Sequence, residues 1–133
     1  FKIRINIKGT IYVEMISLTR KILIIFKWRT GMYLLAFYVP ETHVERIKKA
    51  VFDKGAGKFG KYDSCCFQTK GEGQFRPLQG SSPFIGKEKE IETVSEIKVE
   101  MIVEESLIVD VLDELVKKHP YEEVAYHYFK INT

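Results

Sequence analysis

Cysteine is scarce in this chain of 133 residues, and so are tryptophan, histidine and proline: there are 2 Cys, 1 Trp, 3 His and 4 Pro. The two cysteines, Cys65 and Cys66, are adjacent. Neighbours on a predicted strand point to opposite faces, so a disulfide between them needs a distorted ring, and reduced thiols in a cytoplasmic protein are the expectation. No apolar run approaches the ~18 residues of a membrane-spanning helix. The longest near the start, Ile22 to Phe26, lies between Lys21 and Lys27 and has no small-residue cleavage site after it, so neither a membrane anchor nor a signal peptide is expected. One-sided charge is also missing. The net charge of +3 comes from residues 1–31, where seven Lys/Arg face only Glu14; the remaining chain is 14 basic against 17 acidic. A body at −3 with interspersed charges has no electrostatic footprint for nucleic acid.

What is present is a chain long enough for one packed core, 45% hydrophobic and 13% aromatic. Residues 2–8 alternate Ile3, Ile5, Ile7 with polar neighbours, and 11–16 and 22–28 are two further candidate strands. This segment differs in charge from everything after it, and Met32 looks like a natural start. The expected division is an N-terminal extension over 1–31, either non-native or an added strand covering a sheet edge, and a domain over 32–133.

From Tyr33 the pattern is regular. Tyr33 to Val39 is apolar on both faces, as in a central strand. Thr42 and Glu45 have capping-box spacing, and Val44, Ile47 and Val51 mark a helix face ending near Lys54 with Gly55 as its cap. Two short strands, 65–69 and 74–78, are predicted across a Lys70-Gly71-Glu72-Gly73 turn. Ile97, Val99, Met101 and Val103 alternate as a strand with one buried face, and Ser106 is placed to cap a helix with Ile108, Val111, Leu112 and Leu115 inside. Residues 124–131 form a last, aromatic-rich strand. The order β-α-β-β-α-β predicts an α+β, ferredoxin-like sandwich with an extra hairpin and both helices on one sheet face.

Seven of the 9 glycines fall between Gly55 and Gly86. Gly55-Ala56-Gly57-Lys58-Phe59-Gly60 spells G-x-G-x-x-G, but it follows a helix C-terminus and leads to a strand. Dinucleotide sites need the reverse order, with phosphate at a helix N-terminus. A phosphate-binding P-loop is excluded too, since Phe59 stands where Ser or Thr must follow Gly57-Lys58. The histidines His43, His119 and His127 lack zinc-site spacing, and neither cysteine has a base placed beside it, so no metal, cofactor or catalytic set is predicted. The one crowded polar cluster is His119-Pro120-Tyr121-Glu122-Glu123, whose groups suit either a site or the capping of a turn.

Five motifs carry a family resemblance. Phe37-Tyr38-Val39-Pro40, Gly55 through Cys65, Gly73-Gln74-Phe75-Arg76-Pro77-Leu78, Pro83-Phe84-Ile85-Gly86 and His119 through Tyr126 together resemble stand-alone YqfO-type proteins. These are similar to the CutA/PII-like insert domain of the Nif-three-like family, the GTP cyclohydrolase type 2 homologues. The resemblance covers about three-quarters of the chain and leaves residues 1–31 without a counterpart. It implies a CutA/PII-like fold and, from CutA, a trimer. In the larger family paired metal ions are bound by flanking domains, which this chain lacks, so the resemblance carries over no activity. The expectation is therefore a homo-oligomeric binding or regulatory module rather than an enzyme, with a metal-dependent hydrolase, alone or with a partner, as the alternative. Its ligand or subunit contacts are expected among Lys58, Tyr62, Asp63, Arg76, His119, Tyr121, Glu122 and Glu123. Lys58 and Asp63 are expected at the opposite end of the sheet from His119 and Glu122, so that any pocket joining them lies at a subunit boundary.

Overall fold

The computed structural model describes residues 2–7, 11–18, 21–28 and 31–133, with side chains described from residue 31 onward. Two compact units divide the chain, Phe1–Gly31 and Met32–Thr133. The first holds strands β1 (Lys2–Ile7), β2 (Ile11–Leu18) and β3 (Lys21–Trp28) in an antiparallel sheet of that order. Its register sets Ile7 opposite Ile11 and Leu18 opposite Lys21.

The second unit runs β4 (Met32–Pro40), α1 (Val44–Asp53), β5 (Phe67–Phe75), β6 (Glu92–Glu104), α2 (Ile108–Lys118) and β7 (Tyr126–Ile131). The sheet order is β5-β6-β4-β7, every pair antiparallel. This is the ferredoxin-like arrangement predicted from the element order. The core lies between the sheet and both helices. Leu35, Phe37 and Val39 of β4 and Ile97, Val99, Met101 and Val103 of β6 pack with Val44, Ile47 and Val51 of α1 and Ile108, Val111 and Leu115 of α2, all buried. At about 1.5–3 kcal/mol for each large side chain, this burial is what opposes the chain's conformational entropy.

Two helix starts differ from expectation. Each helix is entered through a short 3₁₀ turn, Glu41–His43 before α1 and Glu105–Leu107 before α2, and no side chain caps either. The residues in extended conformation are Pro40 and Glu104, so the chain begins to wind one residue before Thr42 and Ser106. Both hydroxyl residues then sit inside the turn rather than at its entrance, and the Thr42 hydroxyl meets His43 Nδ1 at 2.8 Å instead of an amide. The end of α1 follows expectation. Gly55, at φ +94°, donates to Phe52 O, and Ala56 donates to Val51 O, the paired bonds of a Schellman cap, with Ala56 and Val51 both buried.

The predicted hairpin at Lys70–Gly73 is not formed. Residues Phe67–Phe75 make one strand, paired without a break from Phe67 opposite Glu100 to Phe75 opposite Glu92. The length of β6 offers a continuous edge, and that template outweighs the turn preference of two glycines. Cys65 and Cys66 precede this strand rather than lying in it, and both are free thiols. A small two-residue turn occurs elsewhere, at Gly60-Lys61, where Phe59 and Tyr62 exchange backbone hydrogen bonds of 2.9 Å each.

Candidate functional site

The long loop 76–91 connecting β5 to β6 and the turn 119–125 between α2 and β7 meet at one end of the sheet. Between them is a cleft of about 380 Å³, lined by residues that include Phe75, Arg76, Leu78, Phe84, Tyr121 and Glu122. The loop is shaped by its own bonds: Lys89 N–H to Pro77 O at 2.8 Å closes its base, and Ser81 donates to Leu78 O through both its amide and its hydroxyl. Loops this long without secondary structure are commonly binding loops.

The turn is organised by His119, buried at 7% exposure. It ends α2, accepting extended geometry before Pro120 while its N–H reaches Leu115 O. Both ring nitrogens are occupied. Nδ1 accepts the Tyr121 N–H at 3.1 Å, so Nε2 carries the proton and donates to Tyr38 O at 2.8 Å. The imidazole therefore ties the turn to the end of β4 as a neutral ring. Burial is the main influence on its pKa and pushes it below the usual histidine value, over the opposing pull of the Tyr38 carbonyl and Glu96.

Tyr121 forms one wall. Its hydroxyl donates to Glu96 Oε1 at 2.9 Å, and burial, then that carboxylate, push the phenol well above its ordinary pKa. Its ring meets His119 at 5.0 Å, Phe75 at 6.2 Å and Phe84 at 6.4 Å between centroids, and Phe84 stacks edge-on against His43 at 5.3 Å. Glu96 reaches Tyr121 by lying across Gly73 of the neighbouring strand, where a Cβ would collide with its carboxylate. Glu122 accepts the Ser82 N–H at 2.9 Å and so pins the loop to the turn, while Glu123 is exposed.

Of the eight predicted site residues, Arg76, Tyr121, Glu122 and Glu123 line the cleft and His119 supports it from behind. Lys58, Tyr62 and Asp63 lie elsewhere, on the glycine loop, which is anchored near the far end of β6 by Gly57 N–H to Ile102 O at 2.8 Å. The glycines there serve packing: a Cβ on Gly57, at φ +71°, would stand 2.7 Å from the Cys65 carbonyl. Glu96, Phe75 and Phe84 complete the site and are not among the predicted residues. The two phenylalanines stand in motifs already singled out, whereas the only trace of Glu96 is its place on the polar side of an alternating strand. Among the described residues, no three His, Cys, Asp or Glu side chains are grouped as a metal ion would require.

The fold is ferredoxin-like, of the CutA-like class. The divalent ion tolerance protein CutA1 from Ehrlichia chaffeensis shares the fold, with a TM-score of 0.57 at 15% identity over 78% of this chain and 84% of its own. Within that class the chain is similar to one segment of the Nif-three-like GTP cyclohydrolase type 2 homologues. The GTP cyclohydrolase 1 type 2 homolog of Halalkalibacterium halodurans is 42% identical over 101 residues, 76% of this chain and 27% of the relative. A Bacillus cereus protein related to NIF3 superposes with a TM-score of 0.69 at 36% identity, over 80% of this chain and 27% of its own. The chain thus spans about a quarter of the length of these relatives. No family model matches it.

Proposed function

We propose that this chain is a homo-oligomeric, trimeric binding or regulatory module of the Nif-three-like kind, acting in the cytoplasm, with the 76–91/119–125 cleft as its binding site and no catalytic set of its own. The observation that carries this reading is the state of His119. The one buried imidazole near the cleft has both nitrogens committed to backbone partners, so it is not free to ligate a metal or move a proton. The cleft walls are largely aromatic and aliphatic, with Arg76, Glu122 and Glu123 at hand, which suits selective binding. Oligomerisation is supported by Phe67 and Phe129, 68% and 52% exposed, whose register places them on the side of the sheet away from both helices.

The alternative, a metal-dependent hydrolase acting alone or with a partner, rests on the name of the relatives. Two measurements on protein purified without chelator separate the readings. Metal content should be sub-stoichiometric with no turnover of GTP, and a thermal-shift panel of nucleotides, metal ions and metabolites should include a stabilising compound whose effect is lost in Arg76→Ala. Stoichiometric zinc, iron or manganese with GTP hydrolysis would establish the alternative.

A further inference from the structure

We propose that the cleft is completed by a second copy of this chain, whose Phe59–Tyr62 tip enters it head to tail. The inference rests on the homo-oligomer reading above and names the segment that a neighbouring copy contributes to the site. The tip is a pre-ordered aromatic pair. Phe59 and Tyr62 are locked by two reciprocal backbone bonds, yet their side chains are 61% and 74% exposed, and the base of the loop is fastened by Gly57 to Ile102 O and by Cys65 N–H to Gly57 O. A turn whose backbone is already ordered loses little backbone entropy on docking, and exposed aromatic side chains are the residue type that anchors interfaces by filling pockets.

The cleft supplies the matching surface. Leu78 and Phe84, 65% and 51% exposed, leave its apolar wall open. The charges are complementary in kind: the tip carries Lys58, Lys61 and Asp63, and the cleft offers Glu122, Glu123 and Arg76. Among the described residues, Lys58, Lys61, Arg76 and Glu123 have no ion pair within the protomer. The tip and the cleft also lie at opposite ends of β6, beside Ile102 and Glu96, about 20 Å apart at ~3.3 Å per strand residue. One protomer cannot close this contact on itself. A contact between unlike patches is heterologous, and a three-fold rotation closes it into a ring in which every cleft receives one tip.

The test is light scattering of the full chain at micromolar concentration. Phe59→Ser combined with Tyr62→Ser should raise the concentration needed for assembly at least tenfold with an unchanged far-ultraviolet circular dichroism spectrum, since neither ring is in the core. Lys61→Glu and Glu123→Lys should each weaken assembly, and the two together should restore it. A wild-type trimer unaffected by the tip substitutions overturns the docking and leaves the oligomer reading standing. Tip sensitivity without rescue by the charge exchange shows that the tip docks somewhere other than the cleft, which overturns the assignment. A wild-type monomer removes both.

Discussion

His119 holds a turn together only while it is neutral, because protonating Nδ1 destroys the acceptor for the Tyr121 N–H. Its folded pKa lies below the unfolded value of about 6.5, so the unfolded chain binds the extra proton more readily. The stabilisation is fully present above about pH 6.5 and is lost as pH falls through the lower folded value. Chemical-denaturation midpoints should therefore decline from pH 7 toward pH 5. In His119→Gln, whose amide can donate to Tyr38 O and accept from Tyr121 without titrating, that decline should flatten. An equal decline in the variant would assign the pH dependence to other groups. This role was half legible in the sequence: the crowding of His119 with Tyr121 and Glu122 was visible, but the partner carbonyl of Tyr38 comes from a strand 81 positions earlier.

At the scale of elements, sequence spacing describes the end of α1 but neither helix start. The Gly55 cap is local, since its bonds run to Phe52 and from Ala56 to Val51. The N-terminal hydroxyls lose their capping role because Pro40 and Glu104 end their strands in extended geometry and the winding starts at once. Thr42→Ala and Ser106→Ala should each cost less than about 0.5 kcal/mol, where a working cap would cost about 1. Gly57→Ala, which needs both a strained φ and room taken by the Cys65 carbonyl, should cost on the order of 2 kcal/mol or more. Urea titration of the three variants checks the ordering, and a costly Thr42→Ala would restore the capping box. The merging of two predicted strands into β5 has a similar origin, because glycines that favour a turn in isolation follow the edge that β6 presents.

At the scale of the whole molecule, all four strands of the ferredoxin-like sheet and both helices lie within Met32–Thr133. A chain beginning at Met32 should therefore remain soluble and melt within a few degrees of the full-length protein. Insolubility or a much lower melting temperature would make residues 1–31 structural for the second unit. The sequence by itself determined the second unit's fold class, because burial follows period: Ile97, Val99, Met101 and Val103 at two-residue spacing and Ile108, Val111 and Leu115 at helical spacing can turn inward only as a strand and a helix. It also marked the glycine loop and the His119 turn as separate features. Only the tertiary structure decided that loop 76–91 lies against that turn, that Glu96 crosses Gly73 to reach Tyr121, and that Phe75 and Phe84 wall a cleft with Arg76. Those contacts join residues far apart in the chain, and their distances follow from sheet register and loop closure, which no local periodicity encodes.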